Sequence, residues 1–96
     1  MLPFRFRPKA INDLERIAAY TFEQWGEQQE REYTKLIEQS VLRICENPRI
    51  GPSYDAIYPG LRRHLVGSHI LFYLVTDSTI EIVRILHSSM DVDSHL

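Results

Sequence analysis

The chain has 96 residues, of which 44% are hydrophobic and 25% are charged. This size predicts one small domain over residues 1–96, and the composition excludes a disordered or fibrous chain. The formal net charge of −2 is unfavourable for a protein that binds nucleic acid by neutralising phosphates, so we expect no direct nucleic-acid binding by the chain alone.

Targeting and cofactor signals are missing from the sequence. A single cysteine, Cys45, excludes an internal disulfide. The N-terminal stretch MLPFRFRPK lacks the apolar core of a secretion signal, and the apolar runs are too short to cross a membrane. The histidines lack metal-ligand spacing, and no glycine-rich phosphate loop is present. We therefore expect a cytoplasmic protein with neither metal nor cofactor.

The first predicted elements are a strand and a helix. In LPFRFR, Leu2, Phe4 and Phe6 alternate with arginines, which is the period of a half-buried strand. From Pro8 the period lengthens to three or four residues, which predicts a helix that ends before Gly26. The tryptophan that completes its apolar face is expected to anchor the core. That face comprises Ile11, Leu14, Ile17, Ala18, Thr21 or Phe22, and Trp25.

A second helix is predicted from about Glu27 to Glu46, where Asn47 and Pro48 stop it. Two helices joined this tightly form an antiparallel hairpin. The cysteine on its apolar stripe is expected to be inert packing. The stripe comprises Tyr33, Leu36, Ile37, Ser40, Val41, Ile44 and Cys45.

The rest of the chain is predicted to be rich in strands. The segment 47–60 contains three prolines and two glycines, which indicates a loop. Strands are predicted over 61–66, 69–75 and 79–86, and the short turns between them favour antiparallel hairpins. The resulting order is β-α-α-β-β-β. We therefore predict an α+β fold in which the helical hairpin packs on one face of a small antiparallel sheet.

The strands are apolar on both faces, although two helices cover only one face of a four-stranded sheet. The second apolar face is therefore expected to be covered by the chain's own tail or by another chain. In the predicted strand 69–75, one face carries Ile70, Phe72 and Leu74 and the other carries Leu71, Tyr73 and Val75. In the predicted strand 79–86, regular alternation places Arg84 on the same face as Ile80, Ile82 and Leu86. The opposite face then carries Val83 and Ile85 together with Glu81 and His87.

Four segments in order carry a resemblance to a known family. They are DLERIAAYTFEQWG, NPRIG, PGLRRHLVGSHILFYLV and IEIVRILHSSMD. From about residue 4 to residue 96 the chain resembles the ParE toxins of type II toxin-antitoxin pairs, within the ParE/RelE superfamily. The resemblance implies a RelE/ParE-like fold and a small bacterial cytosolic toxin that a cognate antitoxin neutralises by wrapping it. It also allows a toxin dimer or a heterotetramer with the antitoxin.

The resemblance implies two kinds of activity. ParE-like toxins are associated with inhibition of DNA gyrase, and RelE-like relatives cut messenger RNA on the ribosome. We expect a gyrase inhibitor that acts by binding. The alternatives are a ribosome-dependent mRNA endonuclease and a relative that binds antitoxin but has lost toxicity. Ser68, Leu74 and Ser89 stand where relatives often have arginine, and these losses disfavour binding to several phosphates.

An mRNA endonuclease needs proton-transfer groups and cations beside the phosphate, so the catalytic assignment rests on arginines and histidines. If the strand is regular through Leu86, Arg84 and His87 lie on opposite faces, and they act together only if the chain turns or bulges at the end of the strand. Arg84 is otherwise expected to pair with a carboxylate such as Asp91, or with one from the antitoxin. The candidate catalytic residues are Arg62, Arg63, His69, Arg84 and His87. The predicted partner-binding residues are Arg62, Tyr73, Val83, Arg84, Ile85, His87 and Met90.

Overall fold

A computed structural model describes the whole chain, from Met1 to Leu96. The predicted order of strand, two helices and three strands is confirmed, and a short C-terminal helix is added to it. No helix combines the length and apolar character needed to cross a membrane. The elements are β1 (Phe4–Phe6), α1 (Pro8–Trp25), α2 (Glu27–Glu46), β2 (Arg62–Val66), β3 (His69–Val75), β4 (Ile80–His87) and α3 (Val92–His95).

The helical hairpin turns at Gly26, whose φ of 91° lies in a region that glycine enters without steric cost. The Gly26 N–H donates to the Phe22 carbonyl and ends α1. The Gly26 carbonyl accepts from the Glu30 N–H and begins α2. A single residue therefore joins two helices that the hydrophobic period alone predicts as separate.

The sheet has the strand order β1-β4-β3-β2. The pairs β2–β3 and β3–β4 are antiparallel, whereas β1 joins the edge of β4 in parallel, with Phe4 opposite Ile80 and Phe6 opposite Ile82. Parallel neighbours need a long connection, which the hairpin and the intervening strands supply. The sheet is therefore mostly antiparallel, with one parallel pair at its edge.

A β-bulge in β4 changes which side chains share a face. Phe72 lies opposite Arg84, but the next residue, Tyr73, lies opposite Ile82, so Val83 is the extra residue. A bulge reverses the alternation of side chains beyond it. The predicted grouping of Ile82 with Arg84 is therefore wrong, because Ile82 and Ile85 both face the helices.

The core has one cluster on each face of the sheet. The larger lies under the helices and comprises Ala10, Ile17, Ile37, Val41, Ile44, Cys45, Val66, Leu71, Tyr73, Ile80, Ile82 and Ile85. The smaller comprises Leu61, Phe72 and Leu86 on the opposite face. Tyr54 and Ile57 of the loop cover it together with Val92 of α3. Of the two expected covers, the chain's tail contributes Val92, but most of the cover comes from the loop, which was not predicted to lie there.

The position of Trp25 differs from the prediction. Trp25 is 71% exposed, and Ile11 and Phe22 on the same side of α1 are also exposed. The buried row of α1 is instead Ala10, Asp13, Ile17 and Thr21. Two adjacent rows of this helix have apolar residues at helical spacing, and the hydrophobic period does not choose between them. On α2 the predicted stripe is buried apart from Tyr33, which is half-buried, and the exposed Leu36.

Candidate functional site

Arg84 of β4 forms a two-pronged ion pair with Asp13 of α1. Arg84 Nε donates to Asp13 Oδ2 over 2.7 Å, and Arg84 Nη2 donates to Asp13 Oδ1 over 2.8 Å. Only 6% of the Asp13 side chain and 12% of the Arg84 side chain are exposed. The hydrogen bond with Asp13 raises the pKa of Arg84 above its usual value. The predicted pairing of Arg84 with a carboxylate is confirmed, but Asp91 instead caps α3.

Asp13 also closes an open edge of the sheet. β1 pairs with β4 only as far as Ile82, which leaves the following residues of β4 without a neighbouring strand. Asp13 Oδ2 accepts a hydrogen bond of 3.0 Å from the backbone N–H of Ile85, on that open edge. Sequence reasoning missed Asp13, although an aspartate three residues after Ala10 and four residues before Ile17, on one helix face, is a usable signal. A carboxylate on a buried row requires a partner.

Two histidines lie side by side at the ends of β3 and β4. His69 and His87 are opposite in register, and their rings meet edge to face with centroids 5.3 Å apart. His69 Nδ1 is 2.6 Å from the hydroxyl oxygen of Tyr33, and His87 Nδ1 accepts from the Ser89 N–H over 3.1 Å. Burial, followed by the charge of His87, lowers the pKa of His69, and Asp13 opposes both effects. Burial and the neighbouring His87 thus favour the neutral form of the His69 imidazole.

Arg84 and the two histidines line one cleft beside α1. Its volume is about 110 Å³. The predicted condition, a turn or bulge between Arg84 and His87, is not met, because the register is regular from Arg84 to His87 and the bulge lies before them at Val83. Both residues nevertheless line this cleft. The lining residues are Asp13, Arg16, Ile17, His69, Arg84, Ile85, Leu86, His87, Met90 and His95.

The other two candidate catalytic residues lie across the sheet on β2. Arg62 Nη1 donates to the Gly51 carbonyl over 2.7 Å. The guanidinium of Arg63 stacks over the Tyr54 ring at 4.6 Å from its centroid. Neither arginine lines the cleft, and β3 lies between β2 and β4. The five candidates are thus divided into two groups.

Two of the predicted partner-binding residues are buried. Tyr73 is fully buried; its hydroxyl donates to the Pro48 carbonyl over 2.8 Å and accepts from the Gly51 N–H over 3.0 Å. Ile85 packs under the helices with 2% exposure. Because neither side chain reaches the surface, their predicted contact with a partner is wrong for this conformation. For the other five residues, which are exposed or partly exposed, contact with a partner stays a prediction. They are His87, Met90, Arg62, Val83 and Arg84.

Comparisons with known proteins agree with this fold. The family model described as "ParE toxin of type II toxin-antitoxin system, parDE" matches residues 4–92. The chain is similar to "Toxin ParE1" of Mycobacterium tuberculosis, with 44% identity over 93% of this chain and 92% of that protein. It is also similar to "Toxin ParE1" of Caulobacter vibrioides, with 35% identity over 100% of this chain and 99% of that protein.

Among solved structures, the fold is similar to a chain of "Chromosomal ParDE TA system from P. aeruginosa". The TM-score is 0.78 at 20% identity, and the match covers 91% of this chain and 96% of that chain. This identity establishes the shared fold, while the family model and the Mycobacterium and Caulobacter relatives establish descent along almost the whole chain. The chain therefore belongs to the ParE toxin family of type II toxin-antitoxin systems.

Proposed function

We propose that the chain acts as a single-domain toxin over residues 1–96 that inhibits DNA gyrase by binding and is neutralised by a cognate antitoxin. Family membership supports the toxin role and the antitoxin partner. Both proposed partners place its action in the bacterial cytoplasm. The choice of a binding inhibitor over an mRNA endonuclease rests on one observation, the engagement of Arg84 by Asp13.

A nuclease needs cations with free donors to hold a phosphorane. Arg84 has five N–H donors, of which two bind Asp13 and a third binds the His95 carbonyl. Asp13 also neutralises the charge of Arg84 at short range. With the arginines of β2 on another part of the sheet and Arg84 held by Asp13, Arg16 is the one lining arginine outside an ion pair, so the cleft offers no set of several cations for one phosphate.

The mRNA endonuclease remains a second candidate because of the histidine pair. His69 and His87 share the cleft with Arg84, and imidazoles are the usual groups for proton transfer near neutral pH. This mechanism requires Arg84 to leave Asp13 and turn towards the phosphate. The resulting unpaired carboxylate, buried on α1, would be costly.

A paired assay distinguishes the candidates. Purified chain is added to DNA gyrase with relaxed plasmid, and separately to a bacterial translation extract. We expect loss of supercoiling or trapping of cleaved plasmid, with messenger RNA intact in the extract. Cut messenger RNA on translating ribosomes with unaffected gyrase contradicts the proposal and supports the endonuclease. If both assays are unaffected and the antitoxin still binds, the chain is a relative without toxicity.

A further inference from the structure

Strand pairing places the imidazoles of His69 and His87 side by side at the ends of β3 and β4. The two residues are opposite in register, and next to them the Ser88 N–H donates to the Ser68 carbonyl over 2.9 Å. Hydrogen-bonded and non-hydrogen-bonded pairs alternate along an antiparallel ladder, so His69 and His87 form a non-hydrogen-bonded pair, the type whose side chains lie closer together. The spacing of histidines in the sequence does not reveal this pair, because it depends on the register between strands.

The separation of the two rings suits one metal ion that is bound to both. A Zn–N bond of about 2.1 Å places the ion about 3.2 Å from the centre of each imidazole, and two such ligands at the tetrahedral angle have ring centres about 5.3 Å apart. The centroids of His69 and His87 are 5.3 Å apart in the structure. The rings meet edge to face, so one of them must turn for both Nε2 atoms to face the ion. His87 is exposed and has the space to do so.

The hydroxyl of Tyr33 holds the ring of His69. His69 Nδ1 is 2.6 Å from the Tyr33 hydroxyl oxygen, which also accepts from the Ser68 N–H over 3.1 Å. Because the Tyr33 hydroxyl donates its own proton to the Val66 carbonyl over 3.2 Å, the N–H of the imidazole lies at Nδ1 and donates to Tyr33. The Nε2 atom of His69 then has the free lone pair that a metal ligand needs. Histidines that bind metals commonly donate their other ring N–H to an oxygen in this way.

The surroundings of the histidine pair leave room for an ion and for water. An open cleft of about 390 Å³ borders both imidazoles. No third histidine, cysteine or carboxylate forms a cluster with them, so the remaining ligands of an ion are water molecules. Two arginines also line the site: Arg84 is neutralised by Asp13, whereas Arg16 is exposed and forms no ion pair. The charge of Arg16 therefore opposes a cation at this position, and its removal should strengthen binding.

We propose that His69 and His87 together bind a divalent first-row transition-metal ion such as Zn²⁺ through their Nε2 atoms, with water in the other coordination positions. Imidazole nitrogen suits Zn²⁺, Cu²⁺ and Ni²⁺, whereas Mg²⁺ prefers oxygen ligands. The bound ion links the end of β3 to the end of β4 and thereby stabilises the folded chain. The inference does not depend on whether gyrase is the target of the toxin.

The test is calorimetric titration of the full chain, without a histidine tag, with Zn²⁺ and separately with Mg²⁺. The wild type is compared with His69→Gln, with His87→Gln and with the control His64→Gln, which removes a histidine of β2 that lines another cleft. Two ligands on one chain act as a chelate, so the loss of either one should weaken Zn²⁺ binding about tenfold or more. We expect His64→Gln to match the wild type, and we expect no binding of Mg²⁺.

Melting temperatures with and without Zn²⁺ give a second measurement. Zn²⁺ should raise the melting temperature of the wild type and of Arg16→Gln, which should bind Zn²⁺ several-fold more tightly, but not that of the His69 and His87 variants. Because His87 is exposed, His87→Gln decides the test if His69→Gln does not fold. The proposal is overturned if the wild type does not bind Zn²⁺, or if His87→Gln binds it as tightly as the wild type. An equal loss of affinity in His64→Gln, or equal binding of Mg²⁺, also overturns it.

Discussion

Asp13 accepts hydrogen bonds from two parts of β4, the side chain of Arg84 and the backbone N–H of Ile85. It thereby joins α1 to the bulged end of the strand. A buried ion pair contributes little compared with an apolar pair of the same size, but removing one partner leaves the other desolvated and unpaired. Arg84 therefore has a structural role, whatever it contacts in a partner.

The Asp13–Arg84 pair predicts an asymmetric set of variants. Asp13→Ala leaves the guanidinium without its carboxylate and the Ile85 N–H without an acceptor, so we expect a loss of about 3–5 kcal/mol in the free energy of unfolding. Arg84→Met leaves Asp13 with the Ile85 N–H and should cost less, about 2–3 kcal/mol. Urea denaturation measures both values.

The double variant Asp13→Leu with Arg84→Met is the control for this pair. It replaces both charges with apolar groups and leaves only the Ile85 N–H without its acceptor. We therefore expect a free energy of unfolding within about 1–2 kcal/mol of the wild type. If the losses of the single variants simply add in the double variant, the two side chains are not energetically coupled and their role as a pair is contradicted.

Tyr73 gives a second prediction, because its hydroxyl fastens the loop 47–60 to the sheet. Tyr73→Phe keeps the ring but leaves the Gly51 N–H and the Pro48 carbonyl without this partner. We expect a loss of about 1–3 kcal/mol in the free energy of unfolding. Tyr20→Phe, at an exposed site on α1, is the matched control and should change stability by less than about 0.5 kcal/mol. Equal effects of the two variants would contradict the anchoring role.

Helix α1 has two apolar rows, and only one of them faces the sheet. The row that contains Ile17 packs under the helix, whereas Trp25 and Phe22 point away from it. On this helix, the size of a side chain is therefore a poor guide to its contribution to the free energy of unfolding. The exposed row adds little to folding and leaves aromatic surface free for a partner.

Alanine substitutions in α1 test which row supports the fold. Ile17→Ala removes buried methyl groups and should destabilise the chain by about 2–4 kcal/mol. Trp25→Ala should change the free energy of unfolding by less than about 1 kcal/mol, although the side chain is much larger. Thermal or urea unfolding of both variants measures the difference. A larger loss at Trp25 than at Ile17 would show that the tryptophan packs into the core.

The stability of the whole chain should fall as the pH drops below neutral. Burial lowers the pKa of both His64 and His69, so the unfolded chain takes up protons at higher pH than the folded chain. As the pH falls below about 6.5, the free energy of unfolding therefore decreases, and it stops decreasing once both histidines are charged in the folded state as well. We expect the free energy of unfolding to be lower at pH 5.5 than at pH 7.5.

His69→Asn isolates the contribution of one histidine, since the asparagine does not titrate but keeps a polar side chain beside the Tyr33 hydroxyl. The difference between pH 7.5 and pH 5.5 should shrink in this variant, and an unchanged difference would assign the effect elsewhere. Glu81 acts at lower pH. Hydrogen bonds from Arg5 and then Arg7 lower the pKa of Glu81, so its contribution is present above about pH 4.3 and is lost as the pH falls below the lowered pKa.

The sequence by itself determined the order and type of the main elements. The change in hydrophobic period at Pro8 marked α1, Asn47 and Pro48 marked the end of α2, and the short turns made the last three strands a meander. These features depend on residues close together in the chain, where spacing reflects local geometry. The ordered segments also identified the family, because membership depends on sequence along the whole chain.

Only the tertiary structure decided the arrangement of the site. The bulge at Val83 reversed the faces of β4, and Asp13 met Arg84 across a separation of 71 residues. The same holds for the cover over Phe72, which the loop and α3 provide together. Each of these features depends on how elements pack and on the register between strands. A hydrophobic pattern specifies that a face is buried, but the group that buries it is chosen by contacts between distant residues.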